Sequence, residues 1–225
     1  MKMIKEKNLS KSNFDDAALL IKKKHFQQTV SDIKNLKIKY QKPIFGFVPI
    51  WQLVEKLNFC IDPTDKILYK TNQMIHLSQV IHSMEKDGLK DELLYVIAIL
   101  HDLGKLLLLT NEDPANIVCD NDVVGNYPSG IGLDNCVNNW NHDEIAYERL
   151  KNFLPKNMAW LIRYHSINIK RNQNFMNDDD KNLCESLLIP FSKHDKLSKS
   201  HNLPLIDWDK YRKLCEKHLP DRIIF

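Results

Sequence analysis

Residues 91–109 read DELLYVIAILHDLGKLLLL. The run is apolar on every side of a helical wheel, the pattern of a helix at the centre of a bundle and not on its surface. Asp91 can cap its start, and the spacing predicts one continuous helix to Leu109. Inside it sit His101, Asp102 and Lys105. An imidazole and a carboxylate are costly to bury without partners. A lone His-Asp pair is common by accident, so the neighbouring segments decide whether this one is compensated.

Upstream, Thr71 or Asn72 can cap a helix through MIHLSQVIHSMEK that Gly88 stops, and it carries His76 among apolar neighbours. Downstream, helical patterns in CVNNWNHDEIAYERLKNF, in KNMAWLIRYHSI after Pro155 and in KNLCESLLIPFSKHDKLSKS carry His142, His165 and Asp195. Each of these residues alone is more often a satisfied core side chain than a ligand. Together, His76, His101, Asp102, His142, His165 and Asp195 on successive helices form an imidazole and carboxylate set suited to iron, manganese or zinc. The two oxygens of one carboxylate can bridge two cations, so a metal pair is the expected compensation.

The rest of the chain frames that core. Residues 1–40 are lysine-rich and loosely amphipathic; residues 1–24 are read as an N-terminal extension with a disordered start, and 25–225 as one all-α domain. Residues 41–50, QKPIFGFVPI, break the helical pattern, a turn is expected at Asp62-Pro63-Thr64-Asp65, and residues 111–132 read as a long loop or lid. A short docking helix is expected after Leu203.

Composition excludes several classes. At 225 residues, with 43% hydrophobic and 27% charged, the chain suits one soluble domain. A net charge of +3 gives no reason to expect a nucleic-acid partner. Five cysteines without CxxC spacing argue against a disulfide framework or a thiolate zinc site and fit reduced thiols in the cytoplasm. With no long apolar run and no signal-like segment, neither membrane span nor secretion is expected. Only 6 glycines and no strand-turn-strand run marked by NG or DG favour helices over hairpins.

The segments HLSQVIHSM, LLYVIAILHDLGK, IGLDNCVNNWNHDEIAYERL, WLIRYHSI, FSKHDKLSK and DWDKYRKLCEKHLPD resemble the myo-inositol oxygenase branch of the HD-domain superfamily over residues 25–225. The resemblance implies a monomeric diiron oxygenase. One iron would be held by His76, His101, Asp102 and Asp195 and the other by His142 and His165, with Asp102 as the bridge. It implies a mixed Fe(II)/Fe(III) state, a small polyol and O2 as partners, and cleavage of the ring of myo-inositol, or of a closely related polyol, to give glucuronate or its counterpart. Substrate contacts would come from Lys105, Asp120, Ser166 and Lys199, with Asp62 and Thr64 matching an acidic turn that holds hydroxyls. Lys105 is also the candidate acid/base.

Other polar residues are read as bystanders. His194 falls where the family has an aromatic and is given a supporting place at most. Asp143 and Glu144 are expected to orient imidazoles or face water. His25, His82, His201 and His218 are read as surface residues, and Trp51, Trp140 and Trp160 as packing. The chain departs from the family over the substrate: CDNDVVG at 119–125 replaces a GDTFPVG-like loop, an insertion is missing between Gly125 and Tyr127, and an N-terminal arginine has no counterpart beyond Lys5 or Lys7.

The competing reading is a metal-dependent HD phosphohydrolase or phosphodiesterase, in which the metal activates a water. It asks for cationic side chains converging on the metals, and few arginines besides Arg149 and Arg163 stand near the motifs. A binding module with a dead site would lack a ligand, and none of the six is missing.

Overall fold

The computed structural model describes residues 11–68 and 71–225. The expected disorder of the first ten residues, and the stand-in lysines Lys5 and Lys7, lie outside the described residues. The architecture is all-α, with one minor pair of strands.

Helix α1 (Lys11–His25) is followed by α2 (Val30–Lys39), which opens on a capping box: the Thr29 hydroxyl accepts from the Asp32 N–H, and the Asp32 carboxylate accepts from the Thr29 N–H. Strand β1 (Phe47–Pro49) leads into α3 (Ile50–Lys56) and pairs antiparallel with the C-terminal strand β2 (Arg222–Ile224). Helix α4 (Gln73–Lys86) starts where the Asn72 side chain accepts from the Ile75 N–H, and Gly88, at φ +72°, turns the chain after it. Asp91 caps α5 (Glu92–Leu100), whose residues from Tyr95 onward are all buried.

That central helix is shorter than the sequence pattern predicts. It ends at Leu100; Asp102, at φ −94° and ψ 8°, has left helical geometry, and Leu103–Leu109 continue as a tighter 3-10 helix. The cause is tertiary. A Cβ on Gly104 would lie 2.0 Å from the His142 carbonyl oxygen, so the backbone here is pressed onto the start of α6 (His142–Leu150). His101 and Asp102 therefore stand at a helix end, not within a helix.

Two further predicted helices are also shortened. Residues 136–141 are not helical; Asn141 caps α6 by accepting from the Asp143 and Glu144 N–H groups, which makes His142 its first residue. Helix α7 (Lys156–Tyr164) ends on His165 as its C-cap, and α8 (Ile169–Asn172) and α9 (Asp178–Leu183) follow. The expected helix over 181–200 is interrupted by a π turn at Cys184–Leu188 before α10 (Ile189–Leu197), where Pro190 has no N–H to give to a regular ladder. The tail forms α11 (Trp208–His218), packed on α5 with Tyr95 and Tyr211 rings 5.5 Å apart, and then β2.

Residues 111–132 are not an open lid. They hold a 3-10 turn at Pro114–Asn116 and bury Ile117, Val118 and Asn121. His25, read as a surface residue, is buried instead, its ring nitrogens each 2.8 Å from the Ala115 and Asp120 carbonyl oxygens, so that it ties α1 to this segment. All five cysteines are free, and no helix among the described residues is long and apolar enough to cross a membrane.

Candidate metal centre

Five elements bring the six sequence-identified residues to one place. His76 comes from α4, His101 and Asp102 from the end of α5, His142 from the start of α6, His165 from the cap of α7 and Asp195 from α10, and all six are buried. Asp102 stands between two groups. Its Oδ2 lies 3.6 Å from His76 Nε2 and 3.5 Å from His101 Nε2, while its Oδ1 lies 3.3 Å from His142 Nε2 and 3.7 Å from His165 Nε2. Asp195 Oδ1 closes the first group at 3.0 Å from His76 Nε2 and 3.7 Å from His101 Nε2.

The backbone assigns the imidazole protons. Nδ1 of His101, His142 and His165 lies 2.8–2.9 Å from the carbonyl oxygens of Ala98, Ile117 and Ile162 and donates to them. That leaves each neutral ring with a bare lone pair on Nε2, and those lone pairs face carboxylate oxygens, which also only accept. Acceptors buried against acceptors need a cation between them. His101 Nε2 has no hydrogen-bond partner, as expected of a nitrogen kept for a metal. His76 differs, because its Nδ1 is the orphaned nitrogen. The donor chemistry thus fits metal ions: three overlapping sets, His76–His101–Asp195, His101–Asp102–His165 and His142–Asp143–His165, each gather their ligand atoms within 4.8 Å.

Electrostatics point the same way. Burial would raise the Asp102 carboxyl, but Lys105 and the imidazoles outweigh it and hold the group well below the usual carboxylate range. Asp195 is held low in the same manner by His101 and His76. Burial lowers His165, yet Asp143 and Asp102 together raise it to about 9, whereas burial and Lys199 bring His76 down to about 4. Without metal, protons fill part of the role of the missing positive charge.

A cavity of about 320 Å³ opens over the centre, lined by Asp62, Thr64, Lys105, Asp120, Ser166 and Lys199, the six residues expected to touch substrate. Lys105 is only 4% exposed; its Nζ donates to Asp102 Oδ2 at 3.0 Å and Gln73 Oε1 at 3.1 Å and lies 3.1 Å from Asp62 Oδ2. Burial pushes the ammonium down, but the two carboxylates more than offset it and hold Lys105 above its ordinary range. Asp62 Oδ1 accepts from the Thr64 N–H and hydroxyl, both at 2.8 Å, and Lys199 pairs with Asp65 at 2.7 Å. The Asp120 carboxyl is raised by burial and by Asp122.

Several residues depart from expectation. Asp143 does not face water: it is fully buried, with Oδ1 3.1 Å from His142 Nε2. Glu144 is also buried and pairs with Lys37 and with Arg163, which holds Asp134 as well, so Arg163 braces α6 against α7 and does not reach the cavity. Although no arginine among the described residues lines the cavity, Lys22, Lys66 and Lys196 do, a convergence that lysines on exposed-looking segments could not announce. His194 lies 2.9 Å from the Ser83 hydroxyl, in none of the three sets.

A family model for myo-inositol oxygenase matches residues 15–126 and 110–225. Among curated proteins, the probable inositol oxygenase of Oryza sativa subsp. japonica is 28% identical over 242 residues, covering 88% of this chain and 77% of that protein. Inositol oxygenase 2 of Arabidopsis thaliana is 29% identical over 240 residues, covering 88% and 75%. The inositol oxygenase of Mus musculus is 25% identical over 238 residues, covering 87% and 82%.

Proposed function

The chain belongs to the myo-inositol oxygenase family, and from that premise we propose that its cavity binds myo-inositol, or a close polyol, at two iron ions bridged by Asp102. The observation that carries the bridge is the division of Asp102 between two groups, with Oδ2 toward His76 and His101 and Oδ1 toward His142 and His165. His76, His101, Asp102 and Asp195 would hold one ion, and Asp102, His142 and His165 the other. Bound iron, in a mixed Fe(II)/Fe(III) pair, supplies the redox chemistry with O2 that no side chain can.

The protein's own share is binding, orientation and proton management. The Asp62–Thr64 turn and Asp120 offer acceptors for substrate hydroxyls, and Ser166 and Lys199 flank the same space. Lys105, held charged between Asp62 and Asp102, can donate to a hydroxyl oxygen that has lost its proton and can return a proton to the product. Its expected role as acid/base is thereby narrowed to the acid side in the metal-free geometry. In the reaction one ring C–C bond breaks, one oxygen atom of O2 ends in the acid and the other in water, so no external reductant is needed. Five free cysteines support a reducing compartment such as the cytoplasm.

The lysines at the cavity wall are the observation that would favour a phosphohydrolase. The two readings separate on products. Protein loaded anaerobically with Fe(II), partly oxidised and given myo-inositol should form glucuronate and leave aryl phosphate esters intact. Hydrolysis of the ester without glucuronate would overturn the oxygenase assignment.

A further inference from the structure

Three buried polar atoms on the α4–α10 side of the centre lack a hydrogen-bond partner among the described residues: His76 Nδ1, Gln79 Oε1 and Ser198 Oγ. None of their side chains lines the substrate cavity. His76 and Gln79 lie three positions apart on α4, and Asp195 and Ser198 three apart at the end of α10, so each pair shares a helical face. His76 Nε2, 3.0 Å from Asp195 Oδ1, joins the two helices at one level. At the next level Gln79 Nε2 donates to the Ser200 and Asn202 carbonyl oxygens, both at 2.8 Å. Gln79 and Ser198 also line one cavity together, apart from the substrate cavity.

The two bonds of its Nε2 fix the orientation of the Gln79 amide, and Oε1 is left as an acceptor without a donor. His76 is 1% exposed and Gln79 2%, so bulk water does not reach either group freely. A neutral imidazole carries one proton. Without metal, that proton can stand on Nε2 and point at Asp195, and Nδ1 is then bare. A metal on Nε2 requires the proton on Nδ1, which then must donate. We propose that Gln79 and Ser198 are positioning residues for His76, joined to its Nδ1 through one internal water. The proposal rests on the metal reading above, concerns the ion held by His76, His101 and Asp195, and adds no ligand to it.

One water satisfies all three atoms at once, accepting from the Nδ1 N–H and from the Ser198 hydroxyl and donating to Oε1. That is the number of polar partners an internal water ordinarily has. Because water both accepts and donates, it serves Nδ1 in either tautomer, and the ring need not turn when the ion enters. The other two imidazoles on which the backbone acts at short range, His101 and His165, meet the carbonyl oxygens of Ala98 and Ile162 directly. Gln79 and Ser198 supply for His76 what the backbone supplies for those rings, and an outer partner of this kind strengthens the hold on the metal.

Zinc is the probe, since it is redox-silent and its binding is read without turnover. In a crystal structure of the full chain loaded with Zn(II), a water should stand about 2.7–3.2 Å from His76 Nδ1, Gln79 Oε1 and Ser198 Oγ. In solution, Ser198→Ala and Gln79→Leu should each weaken one zinc equivalent by roughly 10–100-fold and leave the other unchanged, with Ser198→Thr close to the parent. A merely structural loss would lower both equivalents together and would not be rescued by threonine. Another partner on Nδ1 in the zinc-loaded structure, or Ser198 and Gln79 variants with undiminished affinity while His76→Ala loses zinc, would overturn the positioning role alone. Zinc binding as tight in His76→Ala as in the parent would overturn the metal reading itself, and the proposal with it.

Discussion

Asp102 and Lys105, three positions apart, depend on each other in a way that mutation can separate. On the proposed bridge, Asp102→Ala removes a ligand from both ions, so metal analysis should find neither iron retained; two tightly bound irons in that variant would rule out the bridge. Lys105→Ala leaves Asp62 and Asp102 buried without their ammonium. The metal-free variant should lose about 3–5 kcal/mol in denaturant unfolding, regain much of it on iron loading, and lose turnover while keeping iron. Full activity would make the lysine a bystander. His165 sets a pH dependence: its folded value of about 9 stands above the roughly 6.5 of an unfolded histidine. The stability it confers on the metal-free protein is complete below about 6.5 and is lost as pH rises through about 9. Metal uptake near pH 8 should therefore expel a proton, detectable with an indicator dye in weak buffer; uptake without proton release would contradict the assignment. At this scale the six residues proposed as ligands were legible because costly polar groups stood in apolar surroundings. The burial of Asp143 beside them was not, since an acid in the first turn of a polar helix looks solvated.

Helix ends, more than helix bodies, build the centre. His101 and His165 cap the C-termini of α5 and α7, and His142 opens α6. The close contact of Gly104 with the His142 backbone locks two of these ends together. Gly104→Ala should destabilise the fold by about 3 kcal/mol or more and reduce metal content in parallel, seen by thermal unfolding and metal analysis. A variant as stable and as metal-rich as the parent would show that the contact can relax. The starts of α4 and α5 were legible in the sequence because Asn72 and Asp91 cap them through local chemistry; the start of α6 was not, because the apolar spacing of 136–141 imitates a helix. The break after Leu100 was not, since it answers to a residue about forty positions downstream, and the leucines after it continue an apolar pattern that a straight helix would also show. The π turn before Pro190 likewise replaces the single helix that periodicity suggested.

Across the whole molecule, segments distant in sequence converge on one cavity: Lys22 on α1, the turn at 62–66, Asp120, Ser166 after α7, and Lys196 and Lys199 at the end of α10. His25 fastens α1 to the segment carrying Asp120, and Arg163 with Glu144 fastens α7 to α6. The altered loop at 119–125 is thus part of the wall of the site and partly of its core, not a detachable cover. The all-α class was legible from composition and pattern; how residues 111–132 bury themselves was not, because their contacts lie with α1 and α6. The central claim, ring cleavage by O2 above Asp102, is tested most directly with isotopically labelled O2. Iron-loaded, partly oxidised protein should consume one O2 for each glucuronate formed and place one labelled oxygen atom in each product molecule. Glucuronate without label, or O2 uptake unlinked to product, would contradict it.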